Sequence, residues 1–269
     1  MSRSTGFPHH ARLFEHLVDD AAVFPPGLAP MDVAVRDHVD FQDGPYAAQL
    51  GPLLVPATAA AEVAALAARD PRAARSPLRV GLVVRPGGSL EPLTDAVHLL
   101  RDEPAVHVGS VEVGRGAAQA QGLDEIAEAG TRGAGVRAKF RTGQTPTWPW
   151  PDEAALAEFL HATVVRGLAF KLTGGLHHVV RGDDGGEPMH GLLNVLVATH
   201  DALEGAGTAH VARTLEVTDV EHLVGRLTAL DTEDIERLRA SFTGFGCCGV
   251  LDPLTELEAL GLLPERTTA

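Results

Sequence analysis

The sequence predicts an α/β fold built on parallel strands, a (β/α)8 TIM-like barrel over a single domain, residues 1–269, with an open doubly wound parallel sheet as the alternative. Three observations carry this. Short apolar runs alternate with longer Ala/Leu/Glu-rich stretches of helical length, the pattern of repeated βαβ units. A length of 269 residues suits one such barrel. No Gly-x-Gly-x-x-Gly follows the first apolar run, which counts against the dinucleotide-binding version of the open sheet.

The expected strands lie at 21–24, 50–55, 80–84, 106–113, 136–140, 168–172 and 242–250. Helices are expected at 59–68, 90–100, 123–129, 153–165, 192–203, 217–227, 233–240 and 254–260. Asp152 stands where an N-cap of the 153–165 helix belongs, and Asp231 or Thr232 does the same for 233–240. An eight-stranded ring needs one more strand, and 205–216 is the only stretch left for it.

Bulk properties narrow the function classes. A formal charge of −14 argues against a nucleic-acid partner, which needs a basic face. No run of about 18 apolar residues marks a membrane span, and the N-terminus lacks the apolar segment of a signal peptide. The two cysteines, Cys247 and Cys248, are adjacent and give no disulfide framework, so a cytoplasmic protein is expected. A homo-oligomer remains open.

Lysine usage is the sharpest clue. Only Lys139 and Lys171 occur, against twenty arginines. Each ends an apolar run that leads into Thr-Gly: Gly-Val-Arg-Ala-Lys139-Phe-Arg-Thr-Gly and Gly-Leu-Ala-Phe-Lys171-Leu-Thr-Gly-Gly. Arginine stays charged, whereas a desolvated lysine can surrender its proton and act as an amine. Side chains alternate along a strand. If the large apolar Phe140, Phe170 and Leu172 face the helices, then Arg137, Lys139, Arg141, Lys171 and Thr173 point into the barrel, joined by Glu112. A structural network of Glu112 with Lys139 and Arg137 explains Lys139 without chemistry, but offers Lys171 no acid.

Barrel active sites lie at the C-terminal strand ends. There, Lys171, Lys139 and Glu112 are the expected catalytic groups, and Arg85, Arg141, Thr173, Gly174, Gly175 and Arg181 the expected contacts to a small carboxylate or phosphate. Gly244-Phe-Gly246 is either a further anion-binding turn or a plain close-packed one. His177, His178 and His190 follow within one polar loop. As acid/base groups they suit proton transfer near neutrality. Alternatively, His177 or His178 with His190 and a carboxylate would hold a divalent metal, although the spacing matches no metal signature and no metal ligand is assigned. A cysteine nucleophile would need His178 or His190 as its base. Asp19 and Asp20 precede the first expected strand and should lie at the barrel bottom as capping or surface acids; were the strand to start earlier, they would become metal-ligand candidates.

Phe-Lys171-Leu-Thr-Gly-Gly resembles the sixth-strand Lys-Thr-x-x-Gly segment of Schiff-base class I aldolases, the deoxyribose-phosphate aldolase group in particular. The chain is also similar in style to barrel proteins of actinobacteria. The aldolase resemblance implies a (β/α)8 barrel and Lys171 as the imine-forming amine, tuned by Lys139 or Glu112. No cofactor is favoured from the residues, with a divalent metal as the one candidate. The family's second lysine, on the seventh strand before a glycine pair, has no counterpart here, and the His-His loop is not part of that pattern. The resulting expectation is an enzyme of lyase or aldolase type for a small anionic metabolite. The alternatives are a metal-dependent hydrolase or lyase, and a non-catalytic anion-binding barrel.

Overall fold

The computed structural model describes residues 9–73, 75–83, 110–112, 117–131, 137–145, 149–184 and 186–263. After a 3-10 turn (His9–Phe14) come β1 (Val18–Asp20), α1 (Met31–Gln42), β2 (Leu50–Pro56), α2 (Ala60–Ala67), β3 (Val80–Val83) and β4 (Ser110–Glu112). Then follow α3 (Ala117–Thr131), β5 (Arg137–Arg141), α4 (Glu153–Val165) and β6 (Phe170–Thr173). A hairpin of β7 (Gly182–Asp184) and β8 (Glu187–Met189) precedes four helices, α5 (Leu192–Leu203), α6 (Thr208–Leu215), α7 (Val220–Thr228) and α8 (Thr232–Ser241). The last elements are β9 (Phe242–Cys247) and α9 (Leu251–Ala259).

Seven strands form one sheet in the order β3-β2-β1-β9-β6-β5-β4, with every neighbouring pair parallel. Read around a circle, this is chain order cut between β3 and β4, with the last strand beside the first. A doubly wound sheet instead places its later strands outward from the first in ascending order. The protein is therefore an α/β protein with a parallel sheet in barrel order. Among the described residues no pairing joins β3 to β4, so a complete eight-stranded ring is not what they form. No helix among them is long and apolar enough to cross a membrane.

Two expectations need correction. The stretch 205–216 is not the seventh strand; it holds α6. Val211 and Leu215, four apart, are its buried stripe, which is helical and not alternating spacing. As a result β9 pairs directly with β6. The first strand is Val18–Asp20 and not 21–24. Beyond Asp20 the chain turns, closed by the Phe24 amide donating to Ala21 O at 2.9 Å, and the Pro25-Pro26 pair that follows has no N–H for a ladder. Asp19 and Asp20 thus lie within the sheet.

The helix side of the sheet is aromatic. Phe140 stacks on Phe159 of α4 at 4.7 Å, Phe159 meets Phe170 edge-on at 5.5 Å, and Phe170 stacks on Phe242 at 5.2 Å. These contacts fix the outward faces of β5, β6 and β9, and so the inward faces. Asp152 and Asp231 cap α4 and α8, accepting from the Ala155 and Asp234 amides at 2.8 and 2.9 Å.

Helix α5 is buried along most of its length, so its polar side chains must be satisfied inside. Asn194 does this for three segments. Its Oδ1 accepts from the Arg181 amide at 2.9 Å, and its Nδ2 donates to Val217 O at 2.7 Å and Thr214 O at 3.2 Å. Asn194→Ala strands these groups and is expected to cost about 1–3 kcal/mol per buried group left unpaired. Urea denaturation should show a lower midpoint at an unchanged slope.

Candidate active site

The inward face of β5 and β6 follows strand alternation, but Lys171 is not at the C-terminal mouth where it was expected, because its amine pairs with Asp19 of β1. Arg137, Lys139 and Lys171 line a cavity of about 670 Å³ toward the N-terminal strand ends. Lys139, Arg141 and Thr173 line a second, of about 470 Å³, at the C-terminal ends. Leu54, Val83 and Lys139 are common to both walls, so Lys139 lies at mid-height. Lys171 is paired in register with Lys139 and opens on the N-terminal cavity.

The partner of Lys171 is Asp19 of β1, which the sequence reading had placed below the sheet. Lys171 Nζ donates to Asp19 Oδ2, and both residues are buried. Two glycines make room for the pair. A Cβ at Gly51 would stand 2.3 Å from Asp19 Oδ1, and one at Gly244 would stand 3.2 Å from Lys171 Cε; one at Gly246 would instead meet Leu54 at 3.0 Å and Thr173 at 3.2 Å. Gly244-Phe-Gly246 therefore serves close packing. Burial pushes the Asp19 carboxyl up, and Lys171, Arg137 and Lys139 hold it back. Asp19 Oδ1 is buried and has no hydrogen-bond partner among the described residues, leaving an acceptor beside the amine. Asp20 turns the other way. Its Oδ2 meets His38 Nδ1 at 3.0 Å and its Oδ1 accepts from the Ala22 amide, tying α1 to β1.

At the C-terminal mouth the turns after β5 and β6 interlock. A Cβ at Gly143 would fall 1.8 Å from Gly174 O, and one at Gly175 would fall 2.9 Å from Thr142 Oγ1. Gly174 has φ +75°, a region that favours glycine. The close approach these glycines permit is first of all between the two turns. Arg141 lies against Gly174 in the same wall.

The three histidines go to three places. His177 lines the C-terminal cavity. Its Nδ1 is 3.0 Å from Asp252 Oδ2 and 3.6 Å from Cys247 Sγ, and its Nε2 is 3.4 Å from Cys248 Sγ. The thiols of Cys247 and Cys248 first, and Asp252 with them, push His177 up to about 11 against burial. His178 instead bonds Glu256 of α9 through Nδ1 at 2.8 Å. His190 donates from Nε2 to Pro151 O at 2.9 Å, and burial pushes it down. Neither lines the N-terminal or the C-terminal cavity. Arg181 is ion-paired with Glu153 at 2.5 Å, also away from them. Glu112 stands opposite Lys139 in the β4–β5 ladder. Arg85 lies outside the described residues.

His177 and His178 do not converge with His190 on a metal site. Among the described residues, the groups with metal-ligand spacing are His177–Cys247–Asp252 and His200–Glu204–Asp234. Sequence reasoning missed Asp19 because its strand is three residues long and two of them are acids, a poor strand signature. It missed Asp252 because nothing local distinguishes a first-turn helix acid that caps from one that reaches a histidine 75 positions away. It also paired the cysteines with His178 or His190, where the structure brings up His177.

Together these features define a class: a parallel α/β protein in barrel order with a buried amine–carboxylate pair in its interior. No protein-family model, curated protein or solved structure matches the chain.

Proposed function

We propose that this chain is an enzyme of lyase or aldolase type acting on a small anionic carbonyl compound, with Lys171 as the imine-forming amine. On this reading the ring order continues to closure between β3 and β4. The observation that carries the proposal is the buried Asp19–Lys171 pair with Lys139 beside it. A carboxyl pushed up by burial can hold the proton that the amine must lack in order to attack. The amine nitrogen then bonds to the carbonyl carbon, and Asp19 protonates the departing hydroxyl as water leaves. The resulting iminium accepts the electron pair of the bond that breaks. Lys139 and Arg137, which line the same cavity as Lys171, hold the anionic group, and the cationic interior of a protein with net charge −14 focuses such a ligand. No organic cofactor or metal enters this scheme. Both cysteines are free thiols, in keeping with a reducing cytoplasm.

Thermal-shift screening against small keto acids and aldehyde phosphates tests the reading. A ligand at a hundred times its Kd should stabilise the protein by about 2.7 kcal/mol. Lys171→Arg keeps the cation but no reactive amine. It should retain the shift with an anion that carries no carbonyl and lose the dehydrated covalent adduct seen by intact mass. An adduct that forms undiminished in Lys171→Arg contradicts the assignment.

A further inference from the structure

We propose that Cys248, His177 and Asp252 form a nucleophilic thiol relay at the C-terminal mouth, in which Cys248 attacks the acyl carbon of a small anionic ester or thioester. This site does not rest on the Lys171 amine, which opens on the other cavity.

The geometry separates the roles. The imidazole of His177 is approached on opposite edges, with the Asp252 carboxylate 3.0 Å from Nδ1 and the Cys248 sulfur 3.4 Å from Nε2. Nucleophile, base and orienting acid in that order are what activate a weak nucleophile. An imidazole gives one nitrogen to one ion, so a metal held on Nδ1 with Asp252 and Cys247 would leave Cys248 out on the far edge. The relay uses both edges.

Strand alternation selects between the cysteines. Gly244 and Gly246 face the interior, and Cys248 continues that face into the cavity wall. Cys247 is turned to the helix side, 1% exposed, with its S–H donating to Gly249 O at 3.2 Å. Burial pushes the Cys247 thiol up, with His177 opposing. Cys247 is thus a packed thiol, and Cys248 the one presented to a ligand.

Two local features hold the arrangement. Leu176, just before His177, has φ +62°, a strained setting for a non-glycine residue. It turns His177 back toward α9. Gly249 leaves room for the Asp252 carboxylate, which a Cβ there, 2.2 Å from Oδ2, would displace. The groups facing His177 are Cys247, Cys248 and Asp252, and together they favour its cationic form. A cationic histidine beside a cysteine favours the thiolate.

The cavity specifies the ligand class. Lys139 and Arg141 supply positive charge, while Phe24, Trp150 and Met189 supply apolar wall. In the reaction the sulfur–carbon bond forms, the bond to the leaving alkoxide or thiolate breaks, and that group takes a proton from His177. Water, giving its proton back to His177, then hydrolyses the acyl-enzyme and restores the thiol.

Alkylation rates with iodoacetate and iodoacetamide between pH 5 and 9, with peptide mapping, test the proposal. The sulfur displaces iodide in either reagent, and only iodoacetate carries the anionic charge. In the wild type, label is expected on Cys248, with iodoacetate reacting faster than iodoacetamide. Cys247→Ser should keep this behaviour and Cys248→Ser should abolish it. His177→Gln should slow labelling at pH 6 at least tenfold, and Asp252→Asn should shift the pH profile without moving the site of label. Circular dichroism confirms that each variant is folded. Label on Cys247, an unchanged pH 6 rate in His177→Gln, or tight metal that shields the thiols and is lost in Cys247→Ser would each overturn the proposal.

Discussion

Lys171→Met is expected to destabilise the protein by about 3–5 kcal/mol, because it leaves the Asp19 carboxylate buried without its cation. The comparison that isolates the pair is Asp19→Leu/Lys171→Met, which removes both charges and should recover most of the loss. The penalty also has a sign in pH. Asp19 is pushed above its ordinary value of 3.8 in the fold, so its favourable contribution is present below that value and lost as pH rises through the folded pKa. Without Lys171 this loss grows. The gap between Lys171→Met and wild type should therefore be small near pH 4 and large near pH 8 in urea titrations. A gap independent of pH would mean that Asp19 is not the group left behind.

The second large effect is at Gly143. A methyl group there falls 1.8 Å from the carbonyl oxygen of Gly174, a backbone atom that cannot swing aside as a side chain would. Gly143→Ala must separate the turns after β5 and β6. The cost is expected at the upper end of overpacking penalties, about 3 kcal/mol. Because Thr142 N donates to Thr173 O at 2.8 Å in this same contact, the mouth should open along with the loss of stability. Hydrogen exchange should report faster exchange at Thr142 and its neighbours. Wild-type stability and protection in Gly143→Ala would show that the turns do not interlock as described.

His177, also pushed up, has the same pH sign as Asp19, but here the variant removes the titrating group itself. Raised to about 11, its imidazolium contributes stability fully below an unfolded pKa of 6.5, and that contribution is lost as pH rises toward the folded value. His177→Gln should therefore narrow its deficit relative to wild type between pH 6 and pH 10, measured by the urea midpoint.

These contrasts show which features were legible in the sequence. Helices α4 and α5 were read at their observed bounds because long segments with clear caps or sustained apolar content leave few alternatives. The inward faces of β5 and β6 followed from Phe140 and Phe170, whose bulk belongs against helices. The first strand is misplaced because its pairing, not its composition, makes Val18–Asp20 a strand: Asp19 is held there chiefly by Lys171, two strands away on the same face. Strand seven was inferred from the count a closed ring requires, and α6 occupies that stretch instead. The grouping of His177 with Cys248 and Asp252 depends on where β6 and β9 end side by side, which no local pattern encodes.

Borohydride trapping with peptide mapping tests the central claim most directly. The protein is incubated with small keto acids or aldehyde phosphates, reduced, digested and mapped. The amine assignment predicts one reduced adduct per chain on the peptide carrying Lys171, absent from Lys171→Arg and retained in Cys248→Ser. A reduced adduct on Lys139 or the N-terminal amine alone, or none across the panel while the protein turns a carbonyl substrate over, would contradict it.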